Sequence, residues 1–197
     1  MNFNEYVKNA IRTESKFNVI TNETVNIALN DRLLHWAIWM QTELWEIFEA
    51  IFIKWKNNEI DEVNLREELW DVLWYFAILC DNINYTDFEF DKLDINMKFD
   101  SIADYIFNIN DLTINILDSV KKSLFYKKPL DIELLKTRLN KIFNYIANLL
   151  SFIWGDIEKT AIINIEKLKA RYPEKFSSEN AINRDLKVER NILELDK

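Results

Sequence analysis

Two stretches decide the fold class of this chain, QTELWEIFEAIF at residues 41–52 and REELWDVLWYFAIL at residues 66–79. Each stretch contains two carboxylates three residues apart, namely Glu43 with Glu46 and Glu68 with Asp71. In an α-helix this spacing places both members of a pair on one face. Almost all other positions are apolar, so we expect two buried helices that each carry an acidic stripe.

The acidic stripes predict a divalent-metal site. Two apolar helices joined by a short loop pack against each other as antiparallel neighbours, so the stripes would face one another. Carboxylates that converge in a core are costly unless a cation lies between them. Their oxygen atoms suit hard cations such as Mg²⁺ or Mn²⁺. The predicted ligands are Glu43, Glu46, Glu68 and Asp71. The alternative is that each stripe is a narrow solvated face of a surface helix.

The composition favours an all-α protein that folds as one domain over residues 1–197. The chain is 49% hydrophobic, with 13 Phe, 7 Trp and 7 Tyr, which is enough for a sizeable core. It has only one Gly and two Pro, the residues that break helices. A net charge of -8 argues against a general nucleic-acid binder. It leaves a nucleotide enzyme open, because a bound metal inverts the local charge.

Several features predict a cytoplasmic protein without a membrane partner. Cys80 is the only cysteine, so the chain cannot form an internal disulfide, and we expect a buried, inert thiol. The polar N-terminal stretch lacks the apolar segment of a signal peptide. No apolar run reaches the roughly 18 uncharged residues that indicate a membrane span.

Periodicity and capping signals predict one short helix and five longer ones. We expect them at about 5–14, 23–56 (with a possible break at Asn30-Asp31), 64–81, 100–124 and 129–152, with a further helix at 157–171 that Tyr172-Pro173 ends. The helix at 5–14 is the short one, and the other five are the main helices. Asn64 and Glu67 resemble a capping box. Residues 84–98 are predicted as a loop or short turn, and residues 174–197 as a charged, partly helical tail.

A faint internal repeat relates residues 67–79 to residues 137–149, at an offset of 70. It suggests two helix pairs, one at about 23–83 and another at about 98–172. The acids are not repeated: Glu46, Glu68 and Asp71 fall on Ile116, Arg138 and Lys141. Either the second pair is a duplicate that has lost its acids, or two amphipathic helices are similar by chance.

The ordered motifs make the chain resemble the MazG-like all-α nucleoside triphosphate pyrophosphohydrolases, particularly the phage-type members. The family hallmark is ExxE followed by ExxD on paired helices. Other matching stretches are LLH at 33–35 with Thr42-Glu43, DVLWY at 71–75, and NIEKLKARYPEKF at 164–176 followed by Ala181 and Arg184-Asp185. The resemblance covers roughly residues 5–85 and 155–186. The longer segment between them would hold a degenerate second helix pair, as in the related dimeric dUTPases.

The resemblance implies a function in nucleotide-pool housekeeping or phage nucleotide metabolism. A nucleoside or deoxynucleoside triphosphate would be hydrolysed to the monophosphate and pyrophosphate with Mg²⁺ as cofactor, and Mn²⁺ is the alternative. The four carboxylates would bind the metal, although Glu43 or Glu46 could instead orient the attacking water. The resemblance also implies phosphate contacts from Asn164, Lys167 and Arg171, and we expect a homodimer. The rival interpretation is a catalytically weak or inactive nucleotide-binding or assembly protein on the same fold.

Other residues have two interpretations each. Lys167 and Arg171 share a helix face and could simply be an exposed, solubilising pair. His35, the only histidine, fits a core or supporting role better than a catalytic one. Trp74 and Tyr75 could stack on a base, but core packing is the better default.

The chain departs from the family pattern at four tryptophans. Family members commonly have glycine at the positions of Trp36, Trp39, Trp45 and Trp70. This pattern would arise if the gene uses a code in which UGA means glycine and was translated with UGA as tryptophan. Genuine enrichment in tryptophan is the alternative. Where tryptophan stands at these positions, we expect the Trp45 and Trp70 indoles to press on the neighbouring helix.

Overall fold

A computed structural model of the protein describes residues 1–14, 27–54, 61–85, 101–152 and 156–194. In these ranges the chain is all-helical and has no strand, which confirms the predicted fold class. The helices are α1 (Phe3–Arg12), α2 (Ile27–Phe48), α3 (Glu62–Asn82), α4 (Ile102–Tyr126), α5 (Ile132–Phe152), α6 (Ile157–Arg171), α7 (Ser178–Ile182) and α8 (Leu186–Leu193). A π-helical segment, Glu49–Lys54, continues α2.

Two helix starts show how local sequence sets these boundaries. At α1, the Asn2 side chain accepts a hydrogen bond from the Glu5 backbone amide, and Glu5 reciprocates, which forms a capping box. The predicted capping box at Asn64 is wrong, because α3 begins earlier. The Asp61 carboxylate accepts hydrogen bonds from the backbone amides of Val63 and Asn64, both at 3.1 Å. Asp61 is therefore the N-cap, and Asn64 lies inside the helix.

The helices pack side by side in pairs, with further helices around them. α2 packs against α3, α4 packs against α5, and α2 also contacts α4. The aromatic rings of Phe3, Phe76 and Phe143 meet at centroid distances of 5.8 Å, 5.8 Å and 5.2 Å, so the core lies where α1, α3 and α5 join. α6 contacts α1, α3 and α5, which brings its polar face against the acidic helix α3.

The second helix pair carries different chemistry at the positions related to the acids. Ile116, which corresponds to Glu46, is fully buried. Arg138, which corresponds to Glu68, donates hydrogen bonds to the Asn115 backbone oxygen at 3.2 Å and to Ser119 Oγ at 3.0 Å. These contacts tie α5 to α4. The second pair thus supports the fold at places where the first pair has carboxylates.

Three regions complete the comparison with the predicted elements. The α2 helix continues through Asn30-Asp31, so the possible break there is absent. The charged tail forms the two short helices α7 and α8. Residues 86–98 of the predicted loop and Gly155 lie outside the described residues. Among the described helices, none combines the length and apolarity needed to cross a membrane.

Candidate metal centre and its cavity

Three of the four predicted ligands converge. Glu43 extends from α2, and Glu68 and Asp71 extend from α3. One carboxylate oxygen from each of these residues lies within 4.8 Å of those of the other two. The ExxD spacing places Glu68 and Asp71 on the α3 face that packs on α2, which explains why a sequence pattern in two separate helices produces one cluster.

Glu46 lies beside this cluster rather than in it. Its side chain is exposed at the rim of the adjoining cavity and forms a hydrogen bond with Glu68. Burial and the Asp71 charge raise the pKa of Glu46, whereas the Glu68 hydrogen bond and Arg184 act in the opposite direction. The structure therefore brings all four predicted acids to one place, with three in direct proximity and one at the rim.

The electrostatics of the cluster favour a bound cation. Burial, followed by repulsion from Asp71, raises the pKa of Glu43 to about 8 and the pKa of Glu68 to about 8. The charge of Glu43 raises the pKa of Tyr75, and the charge of Glu68 raises the pKa of Glu43. Carboxyls with such values retain protons at neutral pH unless a positive charge replaces them. A divalent cation between these oxygens would remove the repulsion.

A buried lysine holds the side of Asp71 that faces away from the cavity. Lys167 Nζ lies 2.9 Å and 3.1 Å from the two oxygens of Asp71, and 3.0 Å from Glu67 Oε1. The side chain of Lys167 is 0% exposed, so the interpretation as a solubilising surface residue is wrong. Burial alone would lower the pKa of Lys167, but the charges of Asp71 and Glu67 outweigh it and raise that pKa.

Asn164 also contacts Asp71 from within the core. Its amide nitrogen donates to Asp71 Oδ1 at 3.2 Å, and its amide oxygen accepts from the Tyr6 hydroxyl at 3.2 Å. Tyr6 is completely buried and also donates weakly to the Trp70 backbone oxygen at 3.4 Å. Sequence reasoning missed Tyr6 and Glu67, because both act through residues of distant helices.

The cluster forms part of the wall of a cavity of about 680 Å³. Volumes of this size are typical of small-molecule sites, which span roughly 300–1,000 Å³. Six side chains with aromatic rings line the cavity and form what we call the aromatic wall: His35, Trp39, Trp74, Tyr75, Tyr172 and Phe176. The C-terminal part of the chain contributes the basic side chains that line the cavity, namely Arg171, Arg184 and Arg190. The cavity thus combines carboxylates, aromatic surface and guanidinium groups.

The arginines join α8 to the helices that carry the site. Arg171 Nε donates to Glu189 Oε1 at 2.8 Å, and a second guanidinium nitrogen bonds the other oxygen of Glu189. Burial opposes the charge of Arg171, but the Glu189 contacts outweigh it and raise the pKa of Arg171. Arg190 donates to Asp61 at 2.6 Å. Sequence reasoning missed these pairs, although the Asp185 cap of α8 is a readable helix-start signal.

The aromatic wall holds its shape through specific contacts. The His35 ring meets Trp39 and Tyr75 edge-on at centroid distances of 4.8 Å and 5.7 Å. Burial, followed by the charge of Arg32, lowers the pKa of His35 to about 4, so the ring is neutral at pH 7. Trp74 Nε1 donates to Thr13 Oγ1 at 3.0 Å. His35 is therefore buried, as the core interpretation predicts, and also lines the cavity.

The four unusual tryptophans differ in environment. Trp36 and Trp70 are buried, and among the described residues their indole N–H groups have no hydrogen-bond partner. Trp39 is partly exposed in the aromatic wall. Trp45 is 58% exposed and stacks on Phe48 of its own helix at 5.2 Å. The expectation that Trp45 presses on the neighbouring helix is wrong, because its side of α2 faces solvent.

Comparisons of this chain with protein-family models, with curated proteins and with solved structures found no match.

Proposed function

We propose that the chain is a divalent-cation-dependent nucleoside triphosphate pyrophosphohydrolase of the MazG-like type. It would convert a nucleoside or deoxynucleoside triphosphate to the monophosphate and pyrophosphate. The observation that carries the proposal is the convergence of Glu43, Glu68 and Asp71 within 4.8 Å, at the wall of a cavity large enough for a nucleotide. The motif resemblance of the acidic helices and of residues 164–176 supports the same conclusion.

The cluster fits Mg²⁺ or Mn²⁺. It offers oxygen ligands only, and it comes from two rigid helices rather than from a loop. Burial, followed by the negative charge of Asp71, raises the pKa values of Glu43 and Glu68, and a cation would offset the charge repulsion. When bound, such a cation supplies charge neutralisation on the phosphates and a lower pKa for a water molecule.

Other side chains that line the cavity would orient the water molecule and contact the phosphates and the base. Glu46, which lines the cavity outside the group of three, would orient a water molecule beside the cluster. Arg171 and Arg184 line the same cavity and would contact the phosphates as charge-assisted donors. The aromatic wall offers flat apolar surface for the base. Together these groups would hold a triphosphate between the carboxylates and the guanidinium groups.

A non-catalytic nucleotide-binding protein on the same fold is the second candidate. One observation favours it: Lys167 and Arg171, two of the predicted phosphate contacts, already bind carboxylates of the protein. A phosphate would have to compete with Glu189 for Arg171. The two candidates differ in whether pyrophosphate is released.

The decisive experiment is a panel of nucleoside and deoxynucleoside triphosphates, assayed for pyrophosphate with and without Mg²⁺. We expect Mg²⁺-dependent release, reduced by orders of magnitude in Glu68→Gln, as for the loss of a catalytic metal ligand. The matched control is Glu133→Gln, an exposed acid on α5, which should retain full activity. Nucleotide binding without pyrophosphate release would favour the second candidate. Release that persists without Mg²⁺ or in Glu68→Gln would contradict the proposed site.

A further inference from the structure

Behind Asp71, on the side away from the cavity, lie the buried side chains of Tyr6, Asn164 and Lys167. We infer that these three residues position the Asp71 carboxylate for cation binding and do not contact substrate phosphate. The inference rests on the proposed metal function. It also departs from the phosphate contacts that the family resemblance implies for Asn164 and Lys167.

The position of Lys167 argues against a phosphate contact. Its side chain is 0% exposed, and its ammonium group lies between Glu67 and both oxygens of Asp71. Of these residues, Asp71 and Glu67 line the cavity, whereas Lys167 does not. A phosphate in the cavity would therefore meet the carboxylates before it reached the ammonium group.

Asn164 has a fixed orientation. The Tyr6 hydroxyl donates to its amide oxygen, so the amide nitrogen is the atom that faces Asp71. Burial, followed by the charge of Asp71, raises the pKa of Tyr6 well above its usual value, so the hydroxyl remains a donor. The chain of hydrogen bonds thus runs from α1 through α6 to the carboxylate on α3.

The hydrogen bonds to Asp71 do not use all the acceptor positions of its carboxylate. An ionised carboxylate has about four acceptor positions. Asp71 Oδ1 accepts from Asn164 and Lys167, and Oδ2 accepts from Lys167. These three hydrogen bonds from two donor groups fix the plane of the carboxylate and leave one of its roughly four acceptor positions for a cation, within 4.8 Å of oxygens of Glu43 and Glu68. Partners of this kind orient metal ligands, and their loss typically costs about 10- to 100-fold in metal affinity.

The first test measures the affinity for Mn²⁺ alone by titration calorimetry, with no nucleotide present. We expect Asn164→Leu to weaken Mn²⁺ binding by about 10- to 100-fold. Tyr6→Phe removes one hydroxyl and should weaken it by about 2- to 10-fold, as for one neutral hydrogen bond. The control is Tyr126→Phe, an exposed tyrosine at the end of α4, which should leave the affinity unchanged. Unchanged Mn²⁺ affinity in both test variants would overturn the positioning role.

The second test separates positioning from phosphate contact. At saturating Mn²⁺, we expect Lys167→Met and Asn164→Leu to bind inorganic pyrophosphate within about 3-fold of the unaltered protein, since a contact that is absent cannot be lost. The control is Lys169→Met, an exposed lysine two residues further along α6. A pyrophosphate affinity that falls by about 10-fold or more, with Mn²⁺ affinity unchanged, would assign the residues to phosphate instead. If Lys167→Met does not fold, Asn164→Leu and Tyr6→Phe provide the same comparison of Mn²⁺ affinity with pyrophosphate affinity.

Failure of the inference and failure of the proposed function give different results. If the unaltered protein binds Mn²⁺ and the variants bind it equally well, the positioning role is wrong and the metal site stands. If Mn²⁺ binding weakens as expected but no triphosphate is hydrolysed, the positioning role is supported and the proposed activity is wrong. An unaltered protein that binds no Mn²⁺ would overturn both.

Discussion

The ammonium group of Lys167 lies 2.9 Å from Oδ1 of Asp71, and the whole lysine side chain is enclosed by protein. One permanent positive charge is therefore built into the acidic cluster. It contacts Asp71 and Glu67 but neither Glu43 nor Glu68, and the latter two have strongly raised pKa values. The lysine charge lowers the pKa values of Glu43 and Glu68, but burial and repulsion from Asp71 outweigh it and keep both pKa values raised.

The first prediction concerns thermal stability. A cation that binds only the folded state raises stability by RT ln(1 + [L]/Kd), so Mg²⁺ or Mn²⁺ should raise the Tm. Asp71→Asn should abolish most of this rise, whereas Glu46→Gln should abolish less, because Glu46 lies outside the group of three ligands. Thermal melts with and without the cation measure both effects. An undiminished rise in Asp71→Asn would contradict the carboxylate site.

The second prediction concerns pH. Glu43 and Glu68 have pKa values of about 8 in the folded protein, above the value of 4.5 that is usual for glutamate. The folded state then binds more protons than the unfolded state between these values, so the free energy of unfolding falls as pH rises across that window. We expect the Tm of cation-free protein to decline from about pH 5 to about pH 8.5.

Saturating Mg²⁺ should flatten this decline, because the cation replaces the protons. The matched variant is Glu43→Gln with Glu68→Gln, in which the decline should be largely lost even without the cation. Melts in EDTA across the pH range provide the measurement. A Tm that rises through this window in the unaltered protein, or an identical decline in the double variant, would show that other groups dominate.

The third prediction concerns the two helix pairs. Arg138 bonds to Asn115 and Ser119 on α4, far in the chain from the acidic motifs. Neutralising it together with Lys141 should leave the proposed pyrophosphohydrolase activity within a few-fold, because neither residue lines the cavity. Glu68→Gln should cost orders of magnitude, as for the loss of a metal ligand. Comparable losses of kcat from both changes would mean that the second pair also takes part in catalysis.

The fourth prediction concerns the tryptophans. Trp70 is 2% exposed and its indole N–H has no described partner, which is costly for a buried polar group. If glycine is the intended residue, Trp70→Gly should raise activity, whereas the exposed Trp45→Gly should stay within a few-fold. Genuine tryptophan predicts the opposite for Trp70: truncation of a buried indole typically costs about 3–5 kcal/mol of stability.

Reading the gene is the direct check of this hypothesis. UGA codons at Trp36, Trp39, Trp45 and Trp70 are expected if glycine was intended. UGG codons at these positions would refute the recoding hypothesis, and so would a Trp70→Gly variant with lower activity and a lower Tm.

Local patterns in the sequence were enough to predict most of the helices and the acidic cluster. Helical periodicity is a property of neighbouring residues, so it identified α2 to α6 to within a few residues where the structure describes them. The start of α3 was misplaced because Asp61 and Asn64 are both good N-caps, and only the backbone shows which of them acts. The expected homodimer stays a prediction.

The arrangement around the cluster was beyond sequence reasoning for a physical reason. Glu43 and Glu46 share a helix face, but they differ by about 60° around the axis, since each residue turns the helix by about 100°. Which of them meets α3 depends on how α2 is rotated in its packing. Likewise, Lys167 bonds Asp71, which lies 96 positions earlier, and nothing local to either residue marks the pair.

The cavity draws on both ends of the described chain, since Thr13 and Leu193 line it together. During synthesis the acidic helices α2 and α3 leave the ribosome long before α8 does. A nascent or interrupted chain would therefore display the carboxylates without the wall that contributes Arg171, Arg184 and Arg190. The complete lining of the cavity requires residues from Thr13 to Leu193, so a chain that stops before α8 cannot form it.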